Sequence, residues 1–232
     1  MDPVPESTRG FLPPQQRRSR DALARLLTAT LVTLEAHGLD GATIPRIARE
    51  ADMAPASIYR RFRDRNALYR AALMLELETG AAASLETLRL ESFADRTLEG
   101  VVGGLVALTL RQYRSQPGLM RALTRFIERD SDETFRSNAL AIVADNFQRM
   151  VDLLRTFENE ITHPQPGRAI TFALLTMATI IEVRALEEVS MWNELLPMSD
   201  RELRKEVATI VLAHLRVSAG KAEKSKRSRR AK

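Results

Sequence analysis

The sequence predicts an all-α protein with an N-terminal three-helix unit and a larger helical body, about nine helices in total. Aromatic residues make up only 5% of the 232-residue chain, and Ala, Leu, Arg and Glu are abundant. Apolar residues recur three or four positions apart in successive stretches, as they do on one face of a helix. A Ser or Asp followed three positions later by Glu precedes two of these stretches, which is a helix-start signal.

The first predicted helix begins at Ser19, which can cap it, and ends at Gly38. Asp21 favours its first turn. Its apolar stripe consists of Leu23, Leu26, Leu27, Leu31 and Leu34. The preceding residues 1–16 contain four prolines and no periodicity, so we expect them to be disordered without a partner.

Two short helices joined by a tight corner are predicted next, because the apolar residues after Thr43 do not fit one continuous helix. This pattern is a helix-turn-helix. Pro55 suits the first position of the second helix, where a missing N–H costs nothing. The predicted core of the motif consists of Ile47, Ala48, Ala51, Met53, Ile58 and Phe62.

The outward face of the second helix follows from a step of about 100° per residue. Opposite Ile58 and on the two flanks lie Ala56, Ser57, Tyr59, Arg60 and Arg61. Arginine can form paired hydrogen bonds with guanine edges, a short Ala allows close approach, and hydroxyls bond phosphates. Taken alone, the arginines would be interpreted as a solvated face. Because they accompany a complete helix-turn-helix apolar pattern, contact with DNA is the favoured interpretation.

At these residues the chain resembles the TetR family of bacterial transcriptional regulators. The matching positions are Thr43, Ile47-Ala48, Ala51 to Met53, Ala54 to Ser57, Tyr59, Arg60-Arg61, Phe62 and Arg65. The chain departs from the family pattern at Asp52, which replaces Gly, at Ala54, which lacks the usual hydroxyl, and at Arg65, which replaces Lys. The resemblance implies phosphate contacts by Thr43, Ser57, Tyr59 and Arg65, and base or groove contacts around Pro55, Ala56, Arg60 and Arg61.

A cluster of arginines precedes the first helix and includes Arg17 and Arg18. These side chains could form an arm that reaches the minor groove or the phosphates beside the main contact. A solubilising segment is the equally weighted alternative. The basic tail, residues 218–232, is predicted to be disordered and is interpreted mainly as solvated.

The body, residues 64–217, is predicted to contain the remaining helices, after a DNA-binding domain at 17–63. A fourth helix starts at Asp64 or Asn66, and Gly100, Gly103 and Gly104 fall inside a fifth, where packing, a kink or room for a ligand could explain them. Later helices are expected from Pro117 to near Arg129, from a capping box at Asp130 and Glu133, from about 167 to 188, and from a capping box at Ser199 and Glu202.

The segment from about 167 to 188 is apolar on more than one side, so it needs cover on several faces. A dimer partner would supply that cover, and we expect a homodimer through residues about 167–216, as the resemblance also implies. The stretch from Ala169 to Val183 is too short and too rich in threonine to predict a membrane span.

Charge and composition narrow the function further. The net charge of +5 is uneven: residues 17–70 carry eleven Arg against six acidic residues, whereas the middle of the chain is acidic. This polarity favours nucleic acid at one end. The chain contains no cysteine, and together with the lack of an apolar signal core this predicts a cytoplasmic protein.

The three histidines and the carboxylates show no catalytic or metal-binding spacing, so no enzyme, cofactor or metal site is predicted. The preferred interpretation is a ligand-responsive repressor that binds a palindromic operator in double-stranded DNA. The small-molecule effector is unknown and expected to be largely apolar, with core packing as the alternative role for its candidate lining residues: Met120, Phe126, Phe147, Met150, Phe172 and Met177. A constitutive architectural DNA binder is the second hypothesis, and a helical enzyme the third.

Overall fold

The computed structural model describes residues 14–186 and 190–215, and every element of regular secondary structure within them is a helix. The predicted disordered tail, and residues 1–13 of the predicted disordered N-terminal segment, lie outside these ranges. The α-helices are α1 (Pro14–Gly41), α2 (Ile44–Glu50), α3 (Pro55–Tyr59), α4 (Arg65–Thr87), α5 (Leu98–Ser115), α6 (Pro117–Arg129), α7 (Glu133–Arg155), α8 (Pro166–Leu186), α9 (Met191–Leu195) and α10 (Asp200–His214).

Helix α1 begins at Pro14, so the prediction that Ser19 caps it was wrong. Proline is tolerated in the first turn of a helix, because the backbone N–H that it lacks would make no intrahelical hydrogen bond there. Gly38 interrupts the helix as predicted, with φ of 63° and ψ of −175°, a conformation open to residues without a Cβ. One further turn then leads to α2.

Two groups of buried residues form the core. The N-terminal cluster combines buried residues of α1 to α4 with Leu119, Ala122, Leu123, Phe126 and Ile127 of α6 and Phe135 and Ala139 of α7. The body cluster combines buried residues of α5, α8 and α10 with the C-terminal half of α7. Helix α6 therefore belongs by sequence to the body and by packing to the DNA-binding side.

Polar contacts attach α6 at its start and just beyond its end. At its start, Gly118 lies directly against the Glu35 carbonyl of α1, and the Leu119 amide donates to the Glu35 carboxylate. Arg121 donates to the carbonyl of Leu186, the last residue of α8. After its end, Asp130 accepts two hydrogen bonds from Arg70 of α4. Helix α6 is thus linked to α1, α4 and α8.

Local sequence signals account for most helix starts. The Asp64 carboxylate caps α4 by accepting from the Ala67 amide at 2.8 Å, and the predicted capping box of Ser199 and Glu202 is present at α10. At α7 the prediction was wrong: Asp132 caps the helix, because the Asp130 carboxylate is already engaged by Arg70.

The glycines of α5 differ in their surroundings. A Cβ on Gly100 would overlap the Asp95 backbone, and one on Gly104 would overlap the Phe93 ring, whereas Gly103 has open space. Close packing therefore explains two of the three, and the stretch remains one continuous helix.

Helix α8 is 21 residues long, longer than the stretch from Ala169 to Val183 that was expected to be too short for a membrane span, and by length and composition alone it could cross a membrane. Of its most apolar 18-residue window, 44% is buried inside the protein. Phe172, Leu175 and Val183 are nevertheless exposed along it. Short α9, which the sequence analysis did not predict, follows with exposed Trp192.

Candidate nucleic-acid interface

The corner between α2 and α3 has the arrangement that the apolar pattern predicts. Four of the six predicted core residues are buried, with Ile47 and Ile58 fully so, while Met53 and Phe62 are partly buried against the N-terminal cluster. Asp52 adopts a φ of 52°, the left-handed conformation that Asp tolerates better than most side chains. The motif is therefore a packed helix-turn-helix with a defined outer face.

Helix α3 presents that outer face to solvent. Pro55, Ala56, Arg60 and Arg61 are exposed, and Tyr59 exposes 58% of its surface. Ser57 is half-buried. Ala54 provides no side-chain cap at the start of α3; Pro55 carries no N–H there, and the Ser57 amide donates to the Ala54 carbonyl at 2.8 Å. The fully buried Ile58 sets which side of the helix faces outward.

Several polar side chains lie on α3 and at the starts of α2 and α4. Arg60 donates to the Ser57 hydroxyl at 2.9 Å, and this contact lies entirely on the exposed side of α3. Thr43 precedes α2 with an extended backbone, and its side chain makes no capping bond. Arg65, at the start of α4, lies over the Tyr69 ring, 5.5 Å from its centroid. These groups are hydrogen-bond donors or cations.

Tyr69 fixes the position of α4 relative to the motif. Its hydroxyl, which has one hydrogen to donate, lies 2.5 Å from the Ala42 carbonyl and 3.1 Å from the Leu39 carbonyl. Burial raises the pKa of this phenol, because a phenolate would lose hydration. The neutral hydroxyl therefore joins α4 to the segment that leads into α2.

The predicted arginine arm is only partly described. The side chain of Arg17 lies outside the described part of the chain, whereas Arg18 is exposed. Arg61 donates to both the carbonyl and the hydroxyl oxygen of Ser19. No sequence pattern signals this contact, because the two residues are 42 positions apart.

An exposed apolar face runs along α8 and α10. Phe172 and Leu175 expose 58% and 51% of their surfaces, and Ile210 exposes 48%. The rings of Phe172 and His214 lie 5.2 Å apart. This face falls within the segment predicted to form the dimer contact.

The six residues predicted to line an effector pocket lie in three different places. Met120 and Phe126 belong to the N-terminal cluster, Phe147, Met150 and Met177 pack in or against the body cluster, and Phe172 is on the exposed face. As a single lining, the set does not hold, because helical spacing identifies an apolar face but not the helix that covers it.

Two half-buried titratable groups, Tyr113 of α5 and Glu182 of α8, have raised pKa values. Burial raises the pKa of Tyr113 to about 12, with a further contribution from Glu182. Burial also raises the pKa of Glu182, with a contribution from Glu128. In the described ranges, no group of three His, Asp or Glu side chains could hold a metal ion.

Comparison with known proteins agrees with this geometry. Residues 26–72 match the family model for bacterial regulatory proteins of the tetR family, which covers α2, α3 and parts of α1 and α4. No curated protein sequence matches the chain.

Solved structures match over nearly their whole length. A protein from Mesorhizobium loti, assigned to the TetR-family transcriptional regulators, has 19% identity and a TM-score of 0.64, over 86% of this chain and 98% of that one. A tetR-family regulatory protein from Rhodococcus RHA1 has 19% identity and a TM-score of 0.60, over 84% and 96%. FadR from Bacillus subtilis, solved with stearoyl-CoA, has 13% identity and a TM-score of 0.56, over 83% and 97%. At these identities the likeness establishes the fold.

Proposed function

We propose that this chain, whose residues 26–72 match the family model for bacterial regulatory proteins of the tetR family, is a cytoplasmic, ligand-responsive repressor of transcription. It binds a palindromic operator as a homodimer and has no enzymatic activity of its own. The observation that carries the proposal is the outward face of α3. Tyr59 and Arg60 are exposed there, and they follow the fully buried Ile58, which faces the core.

Each protomer inserts α3 into the major groove. Arg60 reads base edges there, and the small exposed surfaces of Pro55 and Ala56 allow the helix to come close. Thr43, Ser57, Tyr59 and Arg65 bind the flanking phosphates, which fixes the register without reading sequence.

The second copy docks on the exposed face of α8 and α10. The two copies of α3, the recognition helices, must lie about 34 Å apart to enter successive major grooves on one side of the duplex. A symmetric dimer sets that distance. A charge introduced into the centre of such a face is buried without a partner when the dimer forms, which costs several kcal/mol.

Self-association can be tested with Leu175→Glu and the control Leu140→Glu. Leu140 on α7 exposes 52% of its surface, so it matches Leu175 in type and exposure but lies on a different helix. We expect Leu175→Glu to weaken dimerisation by at least about 10-fold in sedimentation equilibrium, and Leu140→Glu to leave it unchanged. A monomeric wild-type protein at micromolar concentration would contradict the dimer.

The effector binds the helical body and competes with DNA by linkage. A ligand that prefers the protomer spacing of the free dimer weakens operator binding by the same factor by which DNA weakens its own binding. Phe147 and Met150, which are half-buried against the body cluster, favour a largely apolar ligand. Stearoyl-CoA, which the Bacillus subtilis FadR structure contains, is one suitable probe among apolar compounds.

Selection of bound duplexes from random DNA tests the proposal directly. A recovered palindrome would support a dimeric, sequence-specific regulator, and displacement of that duplex by an apolar compound would support effector control. Equal affinity for all duplexes, with no displacement, would instead support a constitutive architectural DNA binder.

A further inference from the structure

Arg61, which follows the recognition helix, turns back toward the start of α1. Its Nη2 donates to the Ser19 hydroxyl at 3.2 Å and its Nη1 to the Ser19 carbonyl at 3.4 Å. Arg60, its neighbour, bonds within its own helix to Ser57. Of these two adjacent arginines, one stays on the face of the recognition helix and the other links that helix to α1.

From residue 18 onward, where the structure describes the side chains, the first turns of α1 pack only partly against the motif. Leu26 is the first fully buried residue in this described stretch, whereas Arg18, Ser19 and Arg20 are exposed. Ser19 lies on the same helix face as Leu23 and Leu26, because residues four and seven positions apart share a face. It therefore continues the inner face of α1 beyond the point where apolar packing holds the helix.

This contact also determines where the neighbouring arginines lie. Residues on either side of a helical position are turned from it by about 100°. When Ser19 faces Arg61, Arg18 and Arg20 lie on the two flanks of α1, beside the end of the recognition helix. Freed from Arg61, this turn could fray, as helix ends do, and the direction of both guanidinium groups would be lost.

We propose that Arg61 is a positioning residue that holds the basic first turns of α1 against the recognition helix, so that Arg18 and Arg20 bind DNA phosphates beside the groove contact. The inference rests on the proposed DNA-binding function and gives Arg61 a role different from base reading. Phosphate-binding side chains at a helix start add affinity that depends strongly on salt and little on sequence.

The first test uses the protein without DNA. Arg61→Gln should increase amide hydrogen exchange in residues 18–25 by about 5-fold or more, because an attachment of these turns has been removed. Residues 44–59 should be unaffected. Arg60→Gln, which removes a neighbouring guanidinium bonded only to Ser57, is the matched control and should leave residues 18–25 unchanged. Equal exchange in Arg61→Gln and wild type would overturn the proposal.

The second test measures binding to the duplex that wild-type protein selects from random DNA. Arg18→Ala with Arg20→Ala should weaken binding by about 10-fold or more per protomer at low salt, and reduce the salt slope by about 2 per protomer. Arg61→Gln alone should cause a similar loss. The combined variant should bind within about 2-fold of the Arg18/Arg20 variant, because positioning has no effect once the positioned groups are absent.

The outcomes separate this inference from the proposed function. If the losses add fully, Arg61 contacts DNA itself and the positioning role is wrong, although the protein remains a DNA binder. If wild-type protein binds no duplex, the proposed function fails and the phosphate-binding role of Arg18 and Arg20 fails with it. The exchange measurement would still report whether Arg61 holds the first turns of α1.

Discussion

Arg70 and Asp130 form a two-pronged ion pair between α4 and the segment that joins α6 to α7, with Nε to Oδ2 at 2.7 Å and Nη2 to Oδ1 at 2.6 Å. The Asp130 side chain is 1% exposed and that of Arg70 is 19% exposed. Asp132 lies at 3.7 Å from the same guanidinium. Helix α4, which leads out of the DNA-binding unit, is thereby attached to the end of α6, whose apolar residues pack in the core of that unit.

Asp130→Asn should destabilise the fold by about 3 kcal/mol or more, because it leaves the arginine without a buried countercharge. Urea unfolding followed by circular dichroism measures this change. Asp145→Ala is the control, since Asp145 pairs with Arg149 at 2.5 Å with both side chains exposed, and it should cost less than about 1 kcal/mol. Equal effects of the two substitutions would show that burial of Asp130 is not what matters.

The same pair makes stability depend on acid. The hydrogen bond from Arg70 is the main cause that holds the pKa of Asp130 below its ordinary value of 3.8. The unfolded chain therefore takes up this proton at a higher pH than the folded one. The stabilisation is complete above the ordinary value and is lost as the pH falls through the folded-state pKa. Unfolding free energies of wild type and Asp130→Asn should therefore converge as the pH falls below the ordinary value of 3.8; parallel curves would contradict this assignment.

Gly118→Ala should destabilise the protein by about 1 to 3 kcal/mol, because its Cβ would overlap the Glu35 carbonyl and force α6 away from α1. Gly103→Ala offers a matched control in a helix interior with open space, and should stabilise the protein by up to about 1 kcal/mol. Thermal unfolding of the two variants should give shifts of opposite sign. A stable Gly118→Ala protein would show that α1 and α6 can separate at little cost.

Within the motif, Ile58→Ala should be more damaging than Phe62→Ala, which reverses the order expected from side-chain size. Ile58 is fully buried and should cost about 2 to 5 kcal/mol. Phe62 is only partly buried, so the cost of about 3 to 5 kcal/mol that full burial would impose is an upper limit. Chemical denaturation of the two variants decides between burial and size as the controlling factor.

Arg60→Ala should weaken binding to the selected duplex by about 1 to 3 kcal/mol and relax its sequence preference. Arg89→Ala removes the same charge from an exposed position beyond α4 and serves as the control, with unchanged sequence preference. Competition between specific and random duplexes gives both values. Retained preference in Arg60→Ala would mean that α3 is oriented differently on DNA.

The sequence predicted local features well and long-range contacts poorly. Ile47 with Ala51, and Ile58 with Phe62, are each four positions apart and identified the motif. Ser199 with Glu202 identified the start of α10 in the same way, because such signals lie within a few residues of each other. The partners of Asp130 and Arg61 are 60 and 42 positions away. Nothing in the local pattern of Asp130 distinguishes an ion pair with α4 from a helix cap.

The predicted effector residues illustrate the same limit. Phe126 and Met177 each lie on an apolar helical face, as predicted, yet one is buried beside Tyr69 and Phe135 and the other in the body cluster. Periodicity shows that a side chain points inward; only the packing of the helices determines which interior it enters.

The shared packing of α6 limits where this protein could be cut or recombined. A fragment ending after α4 would lose the apolar surface that Leu119, Leu123 and Phe126 supply to its interior, and we expect it to be unstable in isolation. A hybrid regulator built from this DNA-binding unit must therefore also include α6 of this protein, or have the contact surface between the unit and α6 redesigned.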